Sequence, residues 1–201
     1  MLEVNAPTKP EAAIIAALGR RSIVLVGMMG AGKSSVGRRL AARLGITFVD
    51  ADTEIEAAAG MSIADIFAGH GEAYFRSGEA RVIARLLEGG PQVMATGGGA
   101  MMNPGTRALI HEKGVSIWLD ADYEVLLRRV KRRTDRPMLK TVDPAETLRR
   151  LLDERRPVYA QADLTIRSRD APHDTIVSEA IAALAGHLDS SKQSVRGQTA
   201  P

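Results

Sequence analysis

Eight residues near the start of the chain, 27–34, have the types and spacing that bind phosphate groups. They match G-x-x-x-x-G-K-S, with an apolar run at 22–26 before them and an amphipathic stretch at 36–44 after them. The glycines allow successive backbone N–H groups to face one anion, and the following helix N-terminus adds more N–H groups. Lys33 would contact the β- and γ-phosphates, and the Ser34 hydroxyl a Mg²⁺ ion. The motif predicts a nucleoside triphosphate site; the alternative is a glycine-rich turn with a chance lysine.

Two carboxylates follow the second apolar run of the chain. The run at 47–50 ends in Asp50, and Asp52 lies two residues further on. Carboxylates at the end of a strand beside a phosphate loop can hold Mg²⁺ or receive the proton of a hydroxyl group. Either aspartate could instead cap the helix predicted at 53–59. Residue type alone leaves both roles open.

Two later stretches could form the other side of a site. Arg76 and Glu79 lie three residues apart in a predicted helix at 72–87, so they share a face, although a surface ion pair has the same spacing. The glycines at 97–99 follow a predicted strand at 92–96 and leave backbone N–H groups open to a ligand. A flexible linker is the alternative, which the helix start directly after the glycines disfavours.

Positive charge is concentrated in one segment. Residues 128–140 hold seven basic side chains and one acidic one, whereas the whole chain carries a formal charge of +3, so the remainder is net negative. The aperiodic part of this segment, about 133–142, predicts a basic lid over phosphates, with solvated surface charge as the alternative. A nucleic-acid-binding protein would carry basic residues over a broader face. We therefore expect small-molecule partners and no nucleic acid.

Composition excludes several other classes of protein. The chain has no cysteine, which removes disulfides, thiolate metal sites and cysteine nucleophiles, and its four scattered histidines disfavour a zinc site. No apolar stretch reaches the roughly 18 residues of a membrane span, and the N-terminus lacks the pattern of a signal peptide. We expect a cytoplasmic monomer without membrane contact.

The elements that position these residues alternate between strands and helices. Further strands are predicted at 115–119 and 164–167, and further helices at 104–113, 123–132, 143–156 and 175–184. This alternation predicts an α/β fold of three layers, a five-stranded parallel sheet with helices on both faces. We expect a peripheral extension at 1–21 with a short helix at 10–18, one domain at 22–186, and a disordered tail at 187–201.

Taken together, the motifs resemble those of shikimate kinases, which are related to nucleoside monophosphate kinases. The motifs that carry the resemblance are 27–34, 48–52 followed by Ile55 and Glu56, Phe75-Arg76 with Glu79, 97–99, Arg136-Pro137, and 154–159. The resemblance covers about 22–184 and implies a P-loop kinase fold with a lid. It also implies transfer of the ATP γ-phosphate to the 3-hydroxyl of shikimate, on the route to aromatic amino acids, with Mg²⁺ as the cofactor.

The resemblance also implies roles for individual residues. The nucleotide would be contacted by Gly30, Ala31, Gly32, Lys33, Ser34, Ser35, Arg133 and Pro172. Shikimate would be contacted by Asp52, Arg76, Gly97, Gly98, Gly99, Arg136 and Arg155. The metal would be held by Ser34 and Asp50, and the catalytic groups would be Lys33, Asp52 and Arg136. A gluconate-type or other small-molecule P-loop kinase is the nearest alternative, and a non-catalytic nucleotide- or RNA-binding protein a more distant one.

Overall fold

The computed structural model describes residues 9–131 and 142–197, with side chains described for 10–131 and 142–190. Its strands are β1 (Ser22–Val26), β2 (Thr47–Asp50), β3 (Gln92–Ala95), β4 (Gly114–Ala121) and β5 (Leu164–Ser168). Its helices are α1 (Lys9–Leu18), α2 (Lys33–Leu44), α3 (Ala51–Ala59), α4 (Ile63–Glu88), α5 (Pro104–Lys113), α6 (Tyr123–Lys131), α7 (Pro144–Tyr159) and α8 (His173–Gly197), with a 3₁₀ turn at Ala100–Met102. The backbone of α4 breaks at Gly71, where φ is 80°.

The five strands form one parallel sheet in the order β2-β3-β1-β4-β5. The central strand β1 is buried throughout, as is β4 beside it, because helices cover both faces of the sheet. This architecture confirms the predicted three-layer α/β fold. The carboxyl ends of β1, β2 and β3 lead into residues 27–34, Asp50 and residues 97–99, so these three segments meet at one edge of the sheet.

The short N-terminal helix, predicted from the sequence as part of a peripheral extension, contributes directly to the main core. Ile14 and Leu18 of α1 are buried in the core, where α1 packs against α8 and α2. Glu11 is also buried and accepts a hydrogen bond of 2.7 Å from Arg43 Nη2 of α2. A second, smaller apolar cluster of Ile55, Ile66, Phe75 and Val82 joins α3 to α4.

Two predicted helix ends were wrong. The sequence predicts a helix at 143–156 that ends before Pro157, but α7 continues to Tyr159. Proline removes one backbone donor, yet Ala160 N still donates to Arg156 O at 3.0 Å and the Tyr159 side chain is buried, so the last turn persists.

The final helix begins at His173 and ends at Gly197, whereas we predicted 175–184. Leu188 is buried in the core and extends the apolar face of α8 beyond Leu184, so residues 187–197, predicted to be disordered, are helical. The predicted lid at 133–142 lies almost entirely outside the described residues. No helix within the described ranges is long and apolar enough to cross a membrane.

Candidate active site

The phosphate loop, residues 27–34, connects β1 to α2. Gly27, Gly30 and Gly32 have φ of 130°, 82° and 97°, a region that other residues rarely adopt. A Cβ atom on Gly27 would also lie 2.8 Å from the carbonyl oxygen of Leu119. Lys33 Nζ donates to the carbonyls of Gly27 at 2.8 Å and Met28 at 3.0 Å, which folds the lysine over the start of the loop.

An open cleft of about 340 Å³ lies above this loop. The predicted site residues that line it are Gly30, Gly32, Lys33, Ser34, Ser35, Asp50, Asp52 and Gly98. Ala31 is buried behind the loop, where its carbonyl accepts a 2.7 Å hydrogen bond from Ser168 Oγ. The cleft therefore joins the phosphate loop to residues that follow β2 and β3.

Asp50 has two hydrogen-bond partners, and one of them confirms the capping role that the sequence left open. Its Oδ1 accepts from Asp52 N at 3.1 Å, which caps α3, and its Oδ2 accepts from Ser34 Oγ at 2.6 Å. Because Asp50 supplies the cap, Asp52 lies in the first turn of α3 with its side chain available to line the cleft.

The Ser34 and Asp50 oxygens have the chemistry of a nucleotide-bound magnesium site. Mg²⁺ prefers hard oxygen ligands and is usually held by one or two protein groups together with phosphates and waters. Since the Ser34 hydroxyl donates a hydrogen bond to Asp50, its oxygen lone pairs remain for a metal ion. No cluster of three or more His, Cys, Asp or Glu side chains within 10–131 and 142–190 could hold a metal without a nucleotide. The residues fit Mg²⁺ brought by a triphosphate.

The glycine loop at 97–99 contacts the phosphate loop directly. A Cβ atom on Gly98 would lie 3.2 Å from Met29 N and 3.7 Å from Gly27 O. The Gly98 carbonyl accepts hydrogen bonds from Arg155 Nη1 at 3.0 Å and from the Tyr159 hydroxyl. Residues of α7 therefore hold this loop in place from the other side of the cleft.

The two outer glycines allow charged side chains to approach the loop. A Cβ on Gly97 would lie 2.5 Å from Glu79 Oε1 and 3.0 Å from Asp52 Oδ1. A Cβ on Gly99 would lie 2.6 Å from Arg76 Cζ. Only glycine leaves room for these groups at their observed positions.

Arg76 and Glu79 form a partly buried ion pair rather than a surface pair. Arg76 Nη1 donates to Glu79 Oε2 at 2.7 Å, and Arg76 Nη2 donates to the exposed Glu72 Oε1 at 3.1 Å. The Glu79 side chain is only 3% exposed, and its Oε1 has no hydrogen-bond partner in the described part of the chain. Spacing alone does not reveal this burial, so the sequence predicts no role for Glu79 in the site.

Burial and neighbouring charges together set the pKa values of the side chains around the glycine loop. Burial raises the pKa of Glu79, an effect that Arg76 opposes and the nearby charge of Asp52 reinforces. Burial lowers the pKa of Arg76, but the Glu79 and Glu72 carboxylates together more than compensate, and the net direction is upward. Burial also raises the pKa of Tyr159 to about 12, so its hydroxyl stays protonated and donates to Gly98.

The nucleotide end of the cleft contains two residues that sequence reasoning missed, Arg129 and His173. Arg129, in the last turn of α6, donates to Gly30 O at 3.3 Å and to Ser168 Oγ at 3.1 Å, so it ties the phosphate loop to β5. The sequence signal that could have identified Arg129 is its position just before the predicted lid. Pro172 is exposed next to His173, whereas the predicted lid residues Arg133 and Arg136 lie outside the described residues.

Comparison with known proteins agrees with this geometry. The family model described as shikimate kinase matches residues 29–185. A shikimate kinase of Bradyrhizobium diazoefficiens is 68% identical over 179 residues, 89% of this chain and 86% of that protein. A shikimate kinase of Rhodopseudomonas palustris is 64% identical over 178 residues, covering 89% and 88%.

A solved structure supports the same relationship. The shikimate kinase of Acinetobacter baumannii in complex with shikimate superposes with a TM-score of 0.83 at 35% identity, over 88% of this chain and 98% of that one. This likeness agrees with the family model. The chain therefore belongs to the shikimate kinase family of ATP-dependent kinases.

Proposed function

We propose that the cleft transfers the γ-phosphoryl group of ATP to the 3-hydroxyl group of shikimate, giving shikimate 3-phosphate and ADP. The observation that carries the assignment is the direct contact between two half-sites, in which the phosphate loop touches a glycine loop bordered by Arg76, Arg155 and Asp52. Membership of the family supports the choice of acceptor. The arrangement suits a kinase with a small anionic substrate.

In the donor half, Lys33 would move from the loop carbonyls of Gly27 and Met28 to the β- and γ-phosphates when ATP enters. Ser34 and Asp50 would hold Mg²⁺, which when bound would neutralise phosphate charge. The same Ser34–Asp50 hydrogen bond of 2.6 Å orients the serine toward the cleft. Fixed positive groups of this kind stabilise the charge of the transferring phosphoryl group without reorganisation.

In the acceptor half, Arg76 and Arg155 would bind the carboxylate of shikimate. A guanidinium group offers two parallel donors to a planar carboxylate, which fixes orientation as well as affinity. Asp52 would hold the 3-hydroxyl group and accept its proton as the new bond forms. The backbone of residues 97–99 would contact the ring.

Roles at the nucleotide end and the lid are further proposals. Arg129 and the exposed Pro172 beside His173 border the end of the cleft away from the acceptor wall, which suits contacts with the nucleoside part of ATP. Arg133 against adenine and Arg136 beside the transferred phosphoryl group are supported by the sequence motif alone. Closure of a basic lid would exclude water that could otherwise hydrolyse ATP.

The experiment that tests the function measures ADP release with different acceptors. We expect turnover with shikimate and none above the ATPase background with gluconate or nucleoside monophosphates. Greater activity with any of those acceptors than with shikimate would contradict the proposal. Magnesium dependence is tested in the same assay by titrating Mg²⁺ against EDTA.

We also propose that the enzyme is a cytoplasmic monomer with small molecules as its partners. Sedimentation velocity at assay concentrations measures the oligomeric state.

A further inference from the structure

Two adjacent arginines of α7 have partners on opposite sides of the central strand. Arg155, only 6% exposed, donates to the Gly98 carbonyl just after β3. Arg156 Nη2 donates to Oδ1 and Oδ2 of Asp120 in β4, at 3.2 and 3.0 Å. Since β1 lies between β3 and β4, the end of α7 spans the start of the phosphate loop.

The partner of Arg156 is a buried carboxylate. Asp120 is 7% exposed, and its second cation, Arg167, lies further away at 3.5 Å. A carboxylate removed from water requires a hydrogen-bonded cation, so the contact with Arg156 is strongly favoured over leaving Asp120 unpaired. Arg156 also lies over the Trp118 ring, with its Cζ 5.8 Å from the ring centre, and Trp118 packs beside Gly27.

The backbone at this point of α7 needs such support. Pro157 follows Arg156 directly and cannot donate the hydrogen bond that would close the turn onto Asp153. The last turn lacks that one backbone bond but keeps others, such as Ala160 N to Arg156 O. Side chains add further contacts there, with Arg155 and Tyr159 reaching Gly98 and Arg156 reaching Asp120. Releasing one side of this arrangement would let the other side move.

We propose that Arg156 and Asp120 are positioning residues that hold the end of α7 so that the Arg155 guanidinium meets the acceptor carboxylate. The proposal rests on the proposed role of Arg155 in binding shikimate. Neither arginine lines the cleft, but the Arg155 guanidinium contacts Gly98, which does line it. The Arg156 guanidinium is instead directed at Asp120, on the opposite flank of β1. Its effect on the acceptor is exerted through Arg155.

The alternative is that Arg156 binds the acceptor directly. The two roles make opposite predictions for Asp120. If Arg156 is a positioning residue, loss of the Asp120 charge releases α7 and weakens acceptor binding as much as loss of Arg156. If Arg156 is a ligand, loss of Asp120 frees its guanidinium and leaves or improves affinity.

The test compares Arg156→Ala, Arg156→Lys, Asp120→Asn and the double variant Arg156→Ala/Asp120→Asn in the full-length enzyme. Titration calorimetry gives the Kd for shikimate, and steady-state kinetics give both KM values and kcat. We expect Arg156→Ala and Asp120→Asn each to raise the Kd for shikimate about tenfold, because a misplaced binding group loses most of its contribution. The KM for ATP should change less than about twofold, the double variant should resemble the single ones, and Arg156→Lys should recover part of the affinity.

Arg150→Ala is the matched control, because Arg150 lies on the same helix in an exposed ion pair with Glu154, and we expect no measurable change in Kd. If Arg156→Ala does not fold, Asp120→Asn and Arg156→Lys carry the test. Normal shikimate affinity in Asp120→Asn, or parallel changes in both KM values, overturns the positioning role. Arg155→Ala separates the two proposals: normal affinity in that variant refutes the role of Arg155 itself, whereas weak binding there with normal binding in Arg156→Ala refutes only the positioning pair.

Discussion

The phosphate loop uses consecutive residues and mostly backbone groups, whereas the acceptor wall takes its side chains from three helices. Residues 27–34 reach their working shape through glycines with positive φ and through a turn that closes within the loop, Ala31 N to Met28 O at 3.1 Å. The acceptor wall instead combines Asp52 of α3, Arg76 and Glu79 of α4, and Arg155 of α7. These segments meet only when the sheet and its helices are assembled.

The phosphate loop and the acceptor wall also differ in the groups that provide their electrostatic interactions. Backbone N–H groups at the phosphate loop carry no net charge, so the donor half needs few buried ions before ligand arrives. Its buried cation is Lys33, which donates to the carbonyls of Gly27 and Met28. The acceptor wall must hold two arginines for an anionic substrate and balances them with Glu79 and Asp52. One Glu79 oxygen remains without a hydrogen-bond partner among the described atoms. In the proposed site, specificity for a carboxylate would therefore carry an electrostatic cost to the fold.

The largest effect is expected at the donor half. Lys33→Ala removes the positive group proposed to stabilise the transferring phosphoryl charge, so kcat should fall by about 10³-fold, as for loss of one preorganised donor. The Kd for shikimate should stay within about twofold, because Lys33 lies in the phosphate loop, where it donates to the carbonyls of Gly27 and Met28. Steady-state kinetics and calorimetry check both values. A loss of shikimate affinity equal to the loss in kcat would show that the halves are not separable.

A smaller effect of a different kind is expected at the acceptor wall. Arg76→Ala should raise the KM for shikimate by about 10- to 100-fold, the range for a lost hydrogen bond to a charged group. Its kcat at saturating shikimate should change much less, and the KM for ATP should be nearly unchanged. The exposed Arg85→Ala, on the same helix, is a suitable control because it loses only a surface pair with Glu54. Equal changes in kcat and KM in Arg76→Ala would contradict the division between the halves.

The same contrast explains what could be predicted from the sequence. Strand β1 and residues 27–34 were predictable because an apolar run, a glycine pattern and a helix start are local signals. The burial of Glu79 was not, since its i,i+3 spacing from Arg76 is that of any surface pair. Local patterns did not distinguish the adjacent arginines at 155 and 156, because which one faces the glycine loop depends on where α7 crosses the sheet. The resemblance alone selected Arg155, and it is Arg155 that contacts Gly98.

The two wrong helix ends have the same origin. Local rules ended α7 before Pro157 and α8 at Leu184, but burial of Tyr159 and Leu188 against distant elements extends both helices. Tertiary packing outweighs local propensity at these positions. Local patterns therefore predicted the fold and the donor half, whereas the charge arrangement of the acceptor wall required the structure.

A still smaller effect on the KM for shikimate is expected from Gly99→Ala. This variant tests whether position 99 needs glycine to leave room for Arg76 or to allow the backbone conformation. Gly99 has a φ of −102°, which any residue can adopt, so the only obstacle to alanine is the Arg76 guanidinium. Gly99→Ala should displace Arg76 and raise the KM for shikimate several-fold, by less than about tenfold, with little change in Tm. Gly69→Ala is the control, because nothing lies within 4 Å of its Cβ position. A large loss of Tm in Gly99→Ala with unchanged KM would assign this glycine to the fold instead.

The smallest effect measures what the buried carboxylate costs the folded protein. Because burial raises the pKa of Glu79 above its ordinary 4.5, the folded state binds its proton more tightly than the unfolded state does. The stability contributed by that proton is fully present below about pH 4.5 and is lost as the pH rises through the folded-state pKa. The free energy of unfolding of the wild type relative to Glu79→Gln should therefore decrease as the pH rises through this window.

Urea unfolding of both proteins at several pH values checks the sign of this dependence. Glu179→Gln provides a control with the opposite slope, because the hydrogen bond from Arg169 lowers the pKa of the exposed Glu179. The wild type should therefore gain stability relative to Glu179→Gln as the pH rises toward 4.5. If the free energy of unfolding of the wild type relative to Glu79→Gln is constant or increases with pH, the ion pair with Arg76 fully compensates the burial of Glu79. The acceptor wall is then no more costly to the fold than the phosphate loop.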